Sequence, residues 1–481
     1  MKQRPSTLIA LIPLMILISL MVINVYLFKD DATGGANQLA LIIAAFACGV
    51  ISLTRGYTNY QSIEKGIKEN INQSMTSILI LLLIGSLIGA WIVSGVVPTI
   101  IWIGLKIINP SIFLPLVCLS CALVGLSTGS RWTTNGTLGI AFIAIGKAFG
   151  FPPEQIAGAA ISGAYFGDKI SPLSDTTNLA PAMAGTDLIT HVRHMLKTSL
   201  PAFLLALVGF FILNSMTNIN AANSIESINL ITTTIENTFN IHWALLIIPV
   251  ITLVLVGMKF PALPVLFISA AIASVAAAFT QTEFIATINS NNAPAYQVLV
   301  NILANGLSLS TDNETINSLL SRGGMSSMLS TIWLILSAMI FGGAMEASKM
   351  LHVIAEKMLT FAHSSGALIR STLLSSVVTN LTASDQYIAL VLPGKMFKNA
   401  YEEKGIPPQY LSRALEDAGT VTSVLIPWNS GGAYHAGIFQ IGTLSYLPYC
   451  FFNILGPLIS AFTAGLKTPT TAELKSADSL S

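Results

Sequence analysis

Apolar runs about as long as a bilayer is thick recur along this chain, and that recurrence leaves few folds open. They fall near 8–28, 38–54, 75–97, 153–182 and 198–217, then near 241–257, 261–280, 326–347, 409–440 and 443–463. Each approaches the ~20 apolar residues that carry a helix across a hydrocarbon core of ~30 Å. Of the 481 residues, 53% are hydrophobic and 9% charged, against roughly 25% charged in an ordinary soluble domain. A soluble fold has no core large enough to hide that surface. The pattern predicts an all-α polytopic membrane protein with about ten crossings.

Two further apolar stretches, 111–150 and 366–398, are interrupted near their middles by polar residues, Ser127 to Asn135 and Asn380 to Asp385. Irregular backbone at membrane depth survives only where protein or a water-filled cavity satisfies it. Both stretches therefore read as re-entrant hairpins that enter and leave on one side. Met1–Phe28 has a basic start and a run longer than a signal-peptide core without a small-residue cleavage site, so it reads as a retained first span. The four cysteines, Cys48, Cys118, Cys121 and Cys450, lie in apolar stretches and read as small packing residues rather than a redox pair.

Charge sets the sidedness. Lys2, Arg4, Arg55, Lys65, Lys68, His191, Arg193 and Lys197 fall on one side, with Lys259, Lys349, Lys357, Lys395, Lys398, Lys404, Lys467 and Lys475. The opposite side receives 218–240, with Glu226 and Glu236 and no Lys or Arg, and 281–325, with Glu283, Asp312 and Glu314 against Arg322. The positive-inside rule then places both termini in the cytoplasm. The net charge of +1 and the lack of a basic tract give no reason to expect a nucleic-acid partner. The expected partners are the lipid bilayer and a small cation substrate.

The chain also carries a hidden repeat. Phe151-Pro152-Pro153-Glu154 matches Ile406-Pro407-Pro408-Gln409 at a shift of 255 residues. At that shift Ser127-Thr128-Gly129-Ser130 falls on Thr382-Ala383-Ser384-Asp385, Pro172 on Pro427, and Ser174-Asp175 on Asn429-Ser430. The expected organisation is a first repeat over 1–217, with hairpin 111–150 and broken helix 153–182. An extracytoplasmic linker follows at 218–240. The second repeat covers 241–466, with hairpin 366–398 and broken helix 409–440, and a cytoplasmic tail covers 467–481. An odd number of crossings per half inverts the second against the first. Inverted-topology repeats with broken helices place a transport site where the two halves meet.

Four polar islands mark that site. The first tip offers Ser127, Thr128 and Asn135, and the first break offers Asp168, Ser171, Ser174, Asp175, Thr176 and Asn178. The second tip offers Asn380, Thr382, Ser384 and Asp385, and the second break Asp417, Asn429 and Ser430. Acids at bilayer depth are costly and mark ion paths or partners. Proline-broken helices add carbonyl oxygens, and carboxylate, hydroxyl, amide and carbonyl oxygens together replace the hydration shell of a hard cation. Asp168, Asp175 and Asp385 are the expected Na+ ligands. The competing readings are a pair with Lys169 or a helix cap for Asp168 and Asp175, an N-cap for Asp385, and a cytoplasm-facing ion pair with Arg413 and Glu416 for Asp417. Arg131 reads as snorkelling to the interface ahead of neutralising an acid or gripping a carboxylate substrate, and His191 and His194 as residues of an interfacial helix rather than a pH sensor.

Residues 163–181, Gly-Ala-Tyr-Phe-Gly-Asp-Lys-Ile-Ser-Pro-Leu-Ser-Asp-Thr-Thr-Asn-Leu-Ala-Pro, are followed by Ala-Gly-Thr-Asp-Leu at 184–188 and His-Val-Arg-His-Met-Leu at 191–196. This run resembles the NhaC family of sodium/proton antiporters, and Pro-Trp-Asn-Ser-Gly-Gly-Ala-Tyr at 427–434 resembles the family's second motif. The resemblance implies a scaffold and a moving transport domain, elevator-like alternating access, a homodimer, and a place in a prokaryotic cytoplasmic membrane. It also implies Na+ and H+ as substrates with no cofactor. Some members of the family couple cation movement to malate/lactate exchange, so an organic-anion antiporter is the alternative. No phosphate-binding Gly-x-x-x-x-Gly-Lys-Ser/Thr loop and no His-Glu-x-x-His occurs. An aspartyl protease built on Asp168 and Asp175 would have no use for a matching second half. The chain reads as a secondary transporter, not an enzyme.

Overall fold

The computed structural model describes residues 4–28, 34–217, 221–258, 260–289, 293–311, 316–317, 320–360 and 362–464. Lys2, Lys259, Asp312, Glu314 and the tail 467–481, with Lys467 and Lys475, lie outside the described residues. Every regular element among the described residues is helical, as a chain that must satisfy its own amides in lipid requires. Among the described residues, seven helices are long and apolar enough to cross a membrane, and two further pairs meet the same test as bent spans. The protein is an all-α, multi-pass membrane protein.

The frame is built on Tyr60–Val93, a single helix of 34 residues. Its first four turns, over 60–74, are the polar stretch that precedes the third apolar run. Asn59 caps it by accepting from the Ser62 amide at 2.8 Å, and no proline interrupts the 34 residues that follow. It crosses Leu329–Ala347 where glycine faces glycine: a Cβ on Gly66 would lie 2.8 Å from the Gly343 carbonyl oxygen, and one on Gly343 2.7 Å from that of Gly66. Small residues of this kind let helix backbones meet in lipid, where packing rather than hydrophobicity drives association.

Around the frame, several segments differ from expectation. Val96–Ile107 forms a short apolar helix between the third crossing and the first hairpin. Ala221–Thr238 is a helix where a linker was expected, and Thr282–Ile288 and Ala295–Asn305 are helices inside the expected 281–325 loop. Thr282–Ile288 and Ala295–Asn305 are too short to register as crossings, and Ala221–Thr238 contributes to one only through Asn229–Thr238, joined at a 93° bend to Trp243–Val256. The last span is bent by 61° between Thr443–Tyr449 and Phe451–Thr463.

Both polar-centred stretches turn back on themselves. Phe113–Thr128 reverses at Gly129 and Ser130 into Arg131–Thr134, a π turn at Asn135–Gly139 and Ile140–Ala148. Ser365–Ala383 reverses at Ser384 and Asp385 into Gln386–Glu403. The first outgoing arm packs on Pro153–Ile170 so closely that a Cβ on Gly163 would lie 2.0 Å from the Cys118 carbonyl oxygen. All four cysteines are buried and free, with Cys118 and Cys121 in this tight seam.

Both broken helices are also present. The first runs Pro153–Ile170, opens over 171–174, and resumes as Asp175–Ala184. The second runs Pro408–Leu415, passes through a π turn at Glu416–Thr420, and resumes as Ser430–Phe439. Leu188–Met216 begins earlier than expected. Its first turns bury His191 and His194, with His191 Nδ1 2.8 Å from Ser412 Oγ and the His194 ring 4.3 Å from that of Tyr410. The interfacial reading of the two histidines is therefore corrected. Their polar faces point into the protein, because the second broken helix covers them.

Candidate functional site

The two reversals share one backbone signature at the 255-residue offset. Gly129 has φ +62° and Ser384 φ +60°, both left-handed, and the next residue of each caps the returning helix. Ser130 Oγ accepts from the Thr133 amide at 3.2 Å. Asp385 accepts from the amides of Tyr387 and Ile388 at 2.8 and 3.2 Å. Asp385 is thus an N-cap, which satisfies amides that a helix start leaves without partners.

The breaks are capped at the same offset, Ser174 accepting from the Thr177 amide and Asn429 from the Gly431 amide. Each tip then packs on the break of its own half. A Cβ on Gly129 would sit 2.6 Å from the Leu173 carbonyl carbon, so only glycine fits against that backbone. In the second half the Ser430 amide donates to the Ser384 carbonyl at 2.9 Å, and Trp428 Nε1 to that of Leu381 at 2.9 Å. Asn429 Nδ2 donates to Asn380 Oδ1 at 3.0 Å, and Asn380 Nδ2 to the Gly419 carbonyl at 2.5 Å.

Between the halves lies a layer of buried charge. Arg131 pairs with Asp168, each about 1% exposed, and its other terminal nitrogen donates to Gln386 Oε1 at 2.5 Å. Residues 131 and 386 are themselves partners at the 255-residue offset. The snorkelling assignment of Arg131 is thereby corrected: the side chain runs inward to a counter-charge rather than outward to the interface. Lys169 pairs with Asp417, both fully buried, and Thr198 Oγ1 adds a hydrogen bond to Asp417 at 3.1 Å. Asp417 is therefore a sealed counter-ion, not part of a cytoplasm-facing pair, and Lys169 serves it rather than Asp168 or Asp175. Asn135 Nδ2 meets His435 Nε2 at 2.9 Å, and His435 Nδ1 meets the Gly431 carbonyl at 2.7 Å. A carbonyl only accepts, so Nδ1 carries a hydrogen and donates it to Gly431.

A cavity of about 790 Å³ opens on this layer. Its walls come from Tyr60–Val93 (Gln73, Thr76), from Glu346 and His352, and from the two tips and the first break. Ser130, Trp132, Asp168, Asp175, Tyr387 and Lys395 face it. Asp175 is exposed there and accepts a hydrogen bond from the Tyr387 hydroxyl.

The expected oxygen set is only partly gathered. Asp168 and Asp175 share the cavity, and Asn380, Ser384, Asp385, Asn429 and Ser430 form the second knot, where Ser430 Oγ lies 3.3 Å from Asp385 Oδ2. Thr176 is buried beside Ser174 at 3.2 Å and beside Arg131 at 3.4 Å. Ser171, Thr128 and Thr382 are buried, but the last two donate to carbonyls one turn back in their own helices. Ser127 is exposed and does the same. Asn178 is exposed and ties its side chain to the Pro172 and Ser174 carbonyls. Among the described residues, no three His, Cys, Asp or Glu side chains converge where one metal ion could sit. Of the three acids expected to meet Na+, Asp168 lies at the cavity wall held by Arg131, Asp385 caps a helix start, and Asp175 is exposed to the cavity.

Sequence reasoning missed Lys169 as the partner of Asp417, together with Gln386, Tyr387 and His435. One signal was available. Two cations and two acids in the apolar spans imply pairing, and the 255-residue offset already joins positions 131 and 386.

The model of the Na+/H+ antiporter family matches residues 163–464, which hold both breaks and the second hairpin. The Na(+)/H(+) antiporter NhaC of Alkalihalophilus pseudofirmus is 36% identical over 370 residues, 77% of each chain. The malate-2H(+)/Na(+)-lactate antiporter of Bacillus subtilis is 37% identical over 424 residues, 87% of this chain and 86% of that one. The arginine/ornithine antiporter ArcD of Halobacterium salinarum is 34% identical over 99% of this chain and 96% of its own length. With both hairpins and both breaks in place, these matches make the chain a member of the Na+/H+ antiporter family, in its NhaC branch.

Proposed function

We propose that this protein exports Na+ in exchange for H+ across a prokaryotic cytoplasmic membrane, with both termini in the cytoplasm and without a cofactor. The observation that carries the reading is the cavity that exposes Asp175 and reaches Asp168, between the frame helices and the two hairpin tips. An exposed carboxylate beside the Ser130 region and the Tyr387 hydroxyl is where a small cation would first lose water. We assign Na+ entry to Asp175. Asp385 and its knot hold the second tip in register.

The halves act as inverted repeats in this reading, since tips and breaks correspond at one offset. Hairpins and breaks are bound to each other by Arg131–Gln386, Asn135–His435 and Lys169–Asp417. Such a body moves as a unit past Tyr60–Val93 and Leu329–Ala347, and a homodimer would hold those frame helices still. Lys395 and His352 at the cavity belong to the basic side, so the cavity faces the cytoplasm.

A second reading has a specific support: the cavity, with Lys395 at its wall, is roomy enough for an organic anion, and one relative is named for malate/lactate exchange. Sealed proteoliposomes with an internal pH dye separate the two. Na+ pulses alone should move protons in the wild type and fail to do so in Asp175→Asn. A response that requires malate or lactate would overturn Na+/H+ exchange in favour of organic-anion exchange.

A further inference from the structure

Buried charge in the body formed by hairpins and breaks is almost completely matched. Arg131 is answered by Asp168, and Lys169 by Asp417. Asp385 is answered by two helix amides and Ser430. Glu416, the residue before Asp417, has no ion-pair partner among the described residues. Its side chain is fully buried and neither carboxyl oxygen makes a hydrogen bond. The charged groups that face it are Lys169 and Arg131, both already paired, and Asp168, which has its own negative charge. On its own element stand Asp417 and Arg413, whose Nε lies 3.9 Å from Asp417 Oδ2. The Thr420 hydroxyl, one turn on, faces it and also lacks a hydrogen-bond partner.

The local backbone is unusual as well. Glu416–Thr420 is a π turn in the second break, a form that is rare and recurs at functional sites. A π turn adds a residue to the helical circuit, so that Glu416 and Asp417 both face inward. An ionised carboxylate buried here would have no ion pair of its own, a cost that a neutral carboxylic acid does not carry.

We propose that Glu416 is the proton-carrying residue of the exchange: it holds a proton in this conformation and releases it when Na+ enters. The proposal rests on the Na+/H+ reading. In the step, the O–H bond of Glu416 breaks and the proton leaves to cavity water past Asp168, the wall residue that faces both. The carboxylate left behind is offset by the entering Na+. On the other side of the membrane Na+ leaves and a proton from water reforms the O–H bond.

Purified full-length protein in proteoliposomes tests this with two readouts, Na+-driven proton movement and exchange of radiolabelled Na+ at equal Na+ and equal pH. Glu416→Gln should lose proton movement by about a hundredfold while keeping Na+/Na+ exchange. Glu416→Asp should keep both with a displaced pH profile. Unchanged proton movement and pH profile in Glu416→Gln would overturn the proposal, and so would joint loss of both activities in a folded protein. Infrared difference spectra give a readout independent of transport. Adding Na+ to the wild type should remove a protonated-carboxyl carbonyl band that is absent from Glu416→Gln and shifted in Glu416→Asp. A band that persists in Glu416→Gln, or fails to shift in Glu416→Asp where the Gln variant does not fold, would assign the proton elsewhere. Wild-type protein that moves no protons with Na+ would remove the exchange reading and the proposal with it, a failure visible before any variant is made.

Discussion

Arg131 and Asp168 stabilise one another only as a pair. Each is only about 1% exposed, so removing either leaves a charge in a medium that solvates it poorly. Arg131→Ala or Asp168→Asn should each lower stability in detergent by about 3–5 kcal/mol. The double variant should cost less than the sum, because it leaves no orphan charge. Thermal unfolding of the four proteins gives the coupling directly, and additive losses would refute the pairing. Lys169 and Asp417 obey the same logic. At this scale the sequence disclosed that charge was present but not how it was matched. Spacing along a chain says nothing about which of two cations meets which of two acids when the partners lie 37 and 248 residues apart.

The reversal of each hairpin depends on one left-handed residue, and the two halves fill that position differently. Gly129 has φ +62° and no room for a Cβ against Leu173. Gly129→Ala should therefore cost more than about 1 kcal/mol in stability, and it should push the tip off the first break. Reduced protection of the 171–174 backbone in hydrogen exchange would show the displacement. Ser384 has φ +60° with its hydroxyl buried and unbonded. Ser384→Gly should stabilise the protein by up to about 1 kcal/mol, since glycine adopts this conformation without strain. A lower melting temperature would count against that account.

Asp187 shows the same capping chemistry at the start of Leu188–Met216. A hydrogen bond from the Thr190 amide holds its carboxyl below the usual carboxylate range. A lowered folded value means its contribution is complete at neutral pH and fades only as pH falls through the acid range below it. Asp187→Asn should remove that acid limb from the pH dependence of stability while keeping the cap. The hairpins and breaks themselves were legible because polar tips, Pro-Pro pairs and mid-span prolines punctuate an apolar chain. The π turns, and the merging of 60–74 into a crossing helix, were not. Both are set by what packs alongside rather than by local propensity.

Across the whole molecule, the proposed movement of hairpins and breaks past the frame makes a sharp demand. Thr76 belongs to a frame helix and Leu392 to the second hairpin, and both line the cavity. Cysteines placed at both positions, in a background without the four native ones, and bridged by a short bifunctional thiol reagent should abolish transport. Cleaving the bridge should restore it. Transport that survives the bridge would mean that the site does not travel. The sequence by itself determined that this chain lives in a bilayer, that it is helical, that polar breaks interrupt it at two corresponding places, and to which family it belongs. Those properties follow from hydropathy, backbone hydrogen bonding and punctuation, which are local and add up along the chain. The tertiary structure alone decided that Arg131 turns inward, that Asp175 rather than Asp385 is open to the cavity, and that Glu416 is buried without an ion pair. Those outcomes depend on how a small number of charges share the little polar space at the meeting of the two halves. Each pairing made there removes a choice from every other charge.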